Sequence, residues 1–418
     1  MLNILVVGDS YVDPHFCEGQ ARWFYIGESP PFGLSLAMSK KLCCPTNFDL
    51  ERYDKKLLEI LIFCEMIKLN YGLIDYVVAN TEYTILCGAA VRNVFDVPGR
   101  RIKDVAVFRN KFLMKCAVKK ASSVVTSPFV GGDQLLSNRE RAVHESFEAT
   151  DYPLVVKAAN QAGSRYVYVV SNAEEAAERI AFLQSEGIDC LVEKFVDAPV
   201  IHIDGIWRDG RLIFVCASRY VDDCYAWQNE RVAMSSVIID DESLRGVIVR
   251  FASDTLASLG TKDSVFHLEA FLMHDNSLIF LEIASRSGGA AIVPCIKSVY
   301  GVDLLKENFN IDFGIPSELT SSGFLEKATS GSAGWIVLAH PDTSWCEVIS
   351  ISEDSSVGDK IIWKEIPKIG DRYNDGFYED PAVGMFVVRG ECALEVKKTI
   401  NHIKTTFSVK TRSLERET

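Results

Sequence analysis

Along the first hundred residues, short apolar runs alternate with stretches of helical period. Leu2–Val7 is an unbroken apolar run ending at Gly8, which predicts a buried strand. From Asp54 to Leu69 the apolar side chains Leu57, Leu58, Leu61, Ile62 and Met66 recur at helical spacing and predict an amphipathic helix. Asp75–Val78 predicts another strand and Thr84–Arg92 another helix. This alternation predicts a parallel sheet with helices on its faces. Pro98-Gly99 breaks the pattern, and from about Phe108 it changes character. Tyr152–Lys157 predicts a strand, Ala158–Tyr166 a loop and Val167–Val170 a second strand. A helix opened by Ser171-Asn172, with Glu174 and Glu175 in its first turn, is ended by Gly187 and followed by a strand from Cys190 to Glu193. A unit of that size is smaller than an ordinary domain and suits a mobile lid. Strands follow at Ile201–Trp207, Arg211–Arg219 and His267–Leu272, with a helix at Ser243–Leu259. Leu278–Ile283 pairs with the last of these strands across the turn His274-Asp275-Asn276-Ser277. The tail from Gly331 carries short strands, turns at Lys368–Asp371 and Glu379–Pro381, and a closing helix near Leu394–Thr405.

The length of 418 residues exceeds one ordinary core, so several subdomains are expected. With 48% hydrophobic and 24% charged residues the chain reads as a globular enzyme, not a disordered or low-complexity one. A net charge of −13 argues against general nucleic-acid binding, though not against a small anion in a cationic pocket. The apolar run from Leu57 is broken by Glu59 and Glu65, so no membrane span is expected. Met1–Gly8 reads as a first strand and not as a leader, and the expected location is cytoplasmic. The 12 cysteines are scattered, with Cys43-Cys44 the one close pair, and read as reduced, mostly buried thiols. There is no G-x-G-x-x-G after the first strand and no P-loop.

Four features carry chemistry, in order along the chain. Arg109–Lys115 is a cationic entry to a helix. Lys157 ends an apolar strand and is followed by Ala162-Gly163-Ser164, small residues whose backbone N–H groups can close over phosphate oxygens. Leu191–Val196 is an extended segment able to offer its backbone to an adenine edge. Glu269 and Glu282 lie on the two strands of the expected hairpin, where both can face one side and bind Mg2+ through oxygen; Arg286 follows four residues later.

In these stretches the sequence resembles the ATP-grasp superfamily, and within it the carboxylate–amine ligases typified by L-amino-acid ligases and carnosine synthase. The resemblance covers nearly the whole chain. It implies an α/β and α+β fold: an N-terminal Rossmann-like domain (1–108), an ATP-grasp domain (109–330, its nucleotide lid about 123–195) and a C-terminal subdomain (331–418). By the same resemblance Lys111 and Lys157 match the two ATP lysines, and Ala162-Gly163-Ser164 the loop over the β- and γ-phosphates. Glu193, Lys194, Phe195 and Val196 match the adenine hinge, and Glu269 and Glu282 the metal carboxylates. Arg286 matches the arginine that steadies the acyl phosphate and the oxyanion. Arg219 falls where related enzymes keep a basic residue near the γ-phosphate. The sequence departs from the pattern at Val200, where a ribose-binding Glu is common, at Ala284, where a third metal ligand, Asn, is common, and at Ala158 in place of Pro.

The implied activity is ATP-dependent amide formation through an acyl phosphate, with ATP and Mg2+ (Mn2+ as a substitute) required. The implied partners are small carboxylate and amine substrates, amino acids first, with no nucleic acid or membrane and a homodimer as the candidate assembly. Two alternatives stand beside it: a carboxyphosphate-forming carboxylase and a catalytically weak ATP-binding regulatory module. Ser287-Gly288-Gly289 stands where the carboxylases keep a glutamate base, which weighs against the first. Substrate specificity is expected from Val221–Ser236, with Trp227 walling a side-chain pocket and Arg231 holding a carboxylate, and from His267, Ser287 and Gly288.

Overall fold

An apolar first strand needs partners on both edges and cover on both faces. The computed structural model describes residues 1–13, 15–16, 20–27, 56–132, 135, 139–222, 227, 233–319, 331–339, 345–373 and 382–414. In it β1 (Leu2–Val7) lies at the centre of a parallel sheet ordered β2–β1–β3, flanked by β2 (Ala21–Ile26) and β3 (Tyr76–Val78). One face packs on α1 (Leu57–Tyr71) and α2 (Ile85–Phe95), burying Leu5, Val7 and Phe24 against Ile60, Cys64 and Val91. The helix expected from Asp54 begins at Leu57; residues 54 and 55 lie outside the described residues.

Two short helices, α3 (Ile102–Arg109) and α4 (Lys111–Lys119), lead out of this layer. They meet at Asn110, whose side chain accepts from the N–H groups of Phe112 and Leu113 at 3.0 Å and so caps α4. Next come β4 (Val125–Thr126), β5 (Phe129–Gly131) and α5 (Arg139–Ser146). The expected lid follows as β6 (Leu154–Ala158), β7 (Val167–Val170), α6 (Ala173–Ser185) and β8 (Cys190–Lys194). Its antiparallel sheet is ordered β5–β8–β6–β7. Asn172 caps α6 through the Glu175 N–H, and Ala176, Ile180 and Leu183 bury that helix on Leu154, Val156 and Val192.

The body is a nine-stranded sheet ordered β16–β18–β14–β11–β10–β9–β12–β13–β4. Its strands are β9 (Val200–Arg208), β10 (Arg211–Asp222), β11 (Met234–Ile238), β12 (Ser264–Leu272), β13 (Leu278–Ala284), β14 (Ser332–Ala339), β16 (Ile361–Glu365) and β18 (Ala382–Gly390), with β4 at the edge. The helix α7 (Glu242–Leu259) covers one face, burying Leu244, Ile248 and Leu256 on Ile201, Ile203 and Leu268. Strand alternation therefore turns His202, Asp204, His267 and Glu269 to the other face. There α8 (Ile292–Tyr300) and α9 (Leu304–Phe313) pack, and Phe309 and Phe313 of α9 also cover the second face of the N-terminal sheet.

Past residue 331 the chain continues the same sheet: β14 pairs with β11, and β18 with β14. An expected subdomain boundary at 331 thus falls inside one hydrogen-bonded ladder, because β11 would otherwise present an open edge. A small sheet ordered β17–β15–β19, from β15 (Cys346–Ser352), β17 (Arg372–Tyr373) and β19 (Ser408–Ser413), and α10 (Ala393–Thr406) complete this end. Among the described residues no helix is long and apolar enough to cross a membrane. Of the described cysteines, Cys116 is half-buried, Cys392 exposed and the rest buried, none of them in a disulfide.

Candidate active site

Between the lid sheet and the polar face of the nine-stranded sheet lies a cavity of about 620 Å³. One end is apolar, with Val155 from β6, Phe271 and Leu281 from β12 and β13, and Phe195 and Val196 just past β8. The other end carries Lys111, Lys157, Gly163, Ser164, Glu269 and Glu282. It continues into a smaller space bounded by Glu82, Arg109, His267 and Arg286. One cleft thus joins a flat apolar slot, a row of cations and a pair of carboxylates.

Each group is placed by local structure. Lys111 opens α4, and Lys115 lies one turn on, facing the same way. Lys115 Nζ lies 2.7 Å from Glu193, which also pairs with Lys157 and accepts from the Ser127 hydroxyl. Burial alone would raise the Glu193 carboxyl, but Lys115 and Lys157 bring it down to about 2. Burial would lower Lys157 too, yet Glu193 and Glu282 outweigh it and hold the ammonium above its ordinary range. For Lys115 desolvation wins over Glu193, and its affinity for a proton falls. Lys111 Nζ bonds the carbonyl of Gln161 and lies 3.4 Å from Glu282.

Glu269 and Glu282 stand directly opposite each other in the β12–β13 pair, with a register shift just after Glu269. Like charges so placed repel, and here the surrounding groups offset the repulsion. The Tyr220 hydroxyl donates to Glu269 at 2.9 Å, and His267 Nε2 lies 3.6 Å away. His267 Nδ1 meets Asp204 at 2.8 Å, and the other oxygen of Asp204 meets His202 at 2.6 Å. Burial would lower His267, but Asp204 and then Glu269 push it up to about 10, so it stands as an imidazolium behind the carboxylates. Glu269 itself, which burial would raise, is held below its ordinary range chiefly by His267. Two facing carboxylates with oxygens turned into a cleft fit a hard divalent cation such as Mg2+. His202, Asp204 and His267 also cluster closely, but their nitrogens and oxygens already satisfy one another as hydrogen bonds.

The residues singled out in the sequence fall into three groups. Lys111, Lys157, Ala162, Gly163, Ser164, Phe195, Val196, Glu269, Glu282, His267 and Arg286 line the two connected spaces. Val200 lines the larger space and Ala284 the smaller. Glu193 and Lys194 also border the cleft, but their side chains are engaged: Glu193 with the two lysines, Lys194 with Asp151 at 2.6 Å. At the hinge the N–H groups of Lys194 and Phe195 go to Pro128 and Pro153. The N–H of Val196 has no partner among the described residues.

Arg219 is not brought to the cleft. Strand alternation places it on the α7 face of β10, where its charge acts on Asp241, while Tyr220 faces Glu269. Trp227 lines neither of the two connected spaces and is buried among Cys216, Met234, Ile292 and Trp335. Arg231, and with it most of Val221–Ser236, lies outside the described residues. Ser287 accepts from Arg286 at its carbonyl. Gly288 is a close-packing position: a Cβ there would lie 2.8 Å from Asp204 Oδ1 and 2.9 Å from His267 Nδ1.

Glu82, Lys115, Tyr220 and the His202–Asp204 pair were not anticipated as site residues. Lys115 carried a signal in its four-residue spacing from Lys111. Glu82 follows the carboxyl end of β3 beside β1, the crevice where open parallel sheets place ligands. Tyr220 and the His202–Asp204 pair become visible only once β9, β10 and β12 are in register.

The chain has the ATP-grasp fold: two sheets holding a cleft, lysines from one side and carboxylates from the other. The family model for the ATP-binding domain of the carbamoyl-phosphate synthase large chain matches residues 114–320. An L-arginine-specific L-amino acid ligase of Bacillus subtilis is 23% identical over 249 residues, 58% of this chain and 59% of that protein, so the chain spans less than two thirds of that relative. The crystal structure of an L-amino acid ligase from Bacillus licheniformis superposes with a TM-score of 0.71 at 16% identity, covering 99% of both chains. The biotin carboxylase domain of Hydrogenobacter thermophilus 2-oxoglutarate carboxylase, solved with MgADP and bicarbonate, superposes with a TM-score of 0.70 at 15% identity, covering 97% and 90%.

Proposed function

We propose that this chain is an ATP-dependent carboxylate–amine ligase that joins amino acids, or an amino acid and a related acid, through an acyl phosphate. The observation that carries this reading is that two connected spaces bring together an apolar slot, the lysines Lys111 and Lys157, the facing pair Glu269 and Glu282, and Arg286. The L-amino acid ligases among the similar proteins support it.

Adenine stacks between Val155 and the Phe271–Leu281 face, its edge meeting the Val196 N–H. Lys157 and Lys111 hold the phosphates, and Gly163, at φ +62, lets the loop turn its N–H groups toward the β- and γ-oxygens. Glu269 and Glu282 would hold the Mg2+, which when bound neutralises and aligns the β- and γ-phosphates. The carboxylate of the first substrate attacks the γ-phosphorus, and ADP leaves. The amine of the second attacks the acyl carbon. Arg286, at the far end of the phosphate row, stabilises the oxyanion until phosphate departs. Val200 leaves the ribose without a carboxylate partner at that position.

The test is ADP release with Mg2+ and ATP across amino acids, arginine and alanine included, singly and in pairs, with products read by mass. A pair-dependent release accompanied by an amide mass supports the ligase. Release driven by bicarbonate alone would replace it with the carboxyphosphate reading. ATP binding without stimulated release would replace it with a nucleotide-binding module.

A further inference from the structure

Glu82 belongs to the N-terminal layer, yet it borders the cleft and is only 13% exposed. It stands on a braced turn. Asn80 exchanges hydrogen bonds with Tyr11 at 2.9 and 3.0 Å, and its carbonyl accepts from Asn308 of α9. The hydroxyls of Ser10, Thr81 and Thr84 interlock at 2.9–3.2 Å. A carboxylate on such a turn is a fixed point.

Two guanidinium groups from the ATP-grasp body converge on it. Arg286 Nε donates to one oxygen at 2.7 Å, and Arg109 donates to the other. Arg109 also donates to the carbonyl of Asn160 at 2.8 Å, at the start of the phosphate loop. Two residues on, Lys111 holds the same loop by its N–H to Ala159 and its ammonium to Gln161. A continuous chain of charged hydrogen bonds therefore runs from the loop through Arg109 and Glu82 to Arg286.

We propose that Glu82 is a positioning residue that couples the phosphate loop to Arg286, so that seating of a nucleotide under the loop orders the arginine for the second half of the reaction. Glu82 need not touch a reacting atom to do this. It balances one of the two guanidinium charges and leaves the pair with a net positive charge for an anionic acyl phosphate. Ordering the arginine only once nucleotide is seated would limit loss of the acyl phosphate to water.

Only the activity readout rests on the ligase reading, so the first readout is independent of it. Hydrogen exchange is measured on the full chain with and without Mg2+ and a non-hydrolysable ATP analogue. The proteins are wild type, Glu82→Gln, Arg109→Gln and Val396→Ala. The last truncates the buried face of α10, in a core cluster that shares no residue with the cleft lining, and reports on lost stability alone. Nucleotide is expected to protect both 159–166 and 285–289 in wild type and in Val396→Ala. In Glu82→Gln and Arg109→Gln it is expected to protect 159–166 alone. Protection of both segments in Glu82→Gln, or of 159–166 alone in wild type, would overturn the coupling.

In turnover, Glu82→Gln is expected to lower kcat roughly 10- to 100-fold, as a misplaced catalytic group does. KM for ATP should stay within about twofold, and amide formed per ADP should fall. An unchanged kcat and an unchanged amide-to-ADP ratio would sink the coupling while leaving the ligase standing. Coupled protection in a wild type that forms no amide would sink the ligase and leave the coupling.

Discussion

Glu193 sits between two buried ammonium groups, and its removal differs in kind from removal of either lysine. Lys157→Met leaves Lys115 and Glu193 as a balanced pair. It should abolish nucleotide binding, read by calorimetry, at a stability cost of roughly 1 kcal/mol in urea unfolding. Glu193→Gln leaves two buried cations facing each other, and about 3–5 kcal/mol should be lost. The acid dependence has a definite sign. The Glu193 carboxyl is held at about 2 against an ordinary 4.5, so its contribution is complete above pH 4.5 and lost as pH falls toward 2. Wild type and Glu193→Gln should therefore differ most above pH 4.5 and converge below it. Parallel unfolding curves across that window would contradict this assignment. At this scale the sequence was legible where a short pattern carried the group: Lys157, Glu269, Glu282 and Arg286 could be singled out from a strand end, hairpin alternation and short spacings, and all four line the cleft. Glu82 and Lys115 were harder, because their partners lie 204 and 78 positions along the chain; that proximity is a product of packing.

In the lid, β6, β7, α6 and β8 fall within two residues of the expected bounds, and β13 within one, because a period of two or 3.6 and a turn bound each of them, whereas β5 and α5 carried no such pattern and β12 begins three residues before the expected His267. Arg219 shows where such reading fails. Its neighbour Tyr220 lines the cleft, so a shift of one position exchanges a cleft residue for one beside α7. Gly288, expected from the sequence to bear on substrate specificity, is where the β13–α8 connection closes on the Asp204–His267 pair. Gly288→Ala places a methyl within 3 Å of two polar atoms that cannot both retreat. The expected cost is about 1–3 kcal/mol, with His267 displaced from Glu269. Thermal unfolding and the Mg2+ dependence of nucleotide binding should both change. A variant as stable as wild type, with the same Mg2+ dependence, would show that the connection has slack the geometry denies.

The N-terminal layer, expected as residues 1–108, is joined to the body by a buried charge cluster. Asp312 of α9 accepts from Arg92 at 2.7 Å and from Arg100 at 3.0 Å, and its second oxygen accepts the Ala79 N–H at the end of β3. Arg100 reaches on to the Ser285 hydroxyl, next to Arg286, and Arg92 to the Val77 carbonyl. All three charged side chains are nearly or fully buried. One carboxylate thus holds the N-terminal sheet, the α2–α3 connection and the strand end that carries Arg286. Nothing local in the sequence marks it, since Arg92 and Asp312 are 220 positions apart and each reads as a surface charge on its own helix. Asp312→Asn keeps the shape and removes the charge, leaving two buried guanidinium groups without an anion. A loss of about 3–5 kcal/mol is expected. Because the same carboxylate joins two layers, the loss should also appear as decoupling: hydrogen exchange in β1 and β3 should accelerate well before that in β12. If instead all strands lose protection together by an equal factor, Asp312 stabilises the molecule as a whole and the N-terminal layer is held to the body chiefly by the Phe309–Phe313 contact with its sheet.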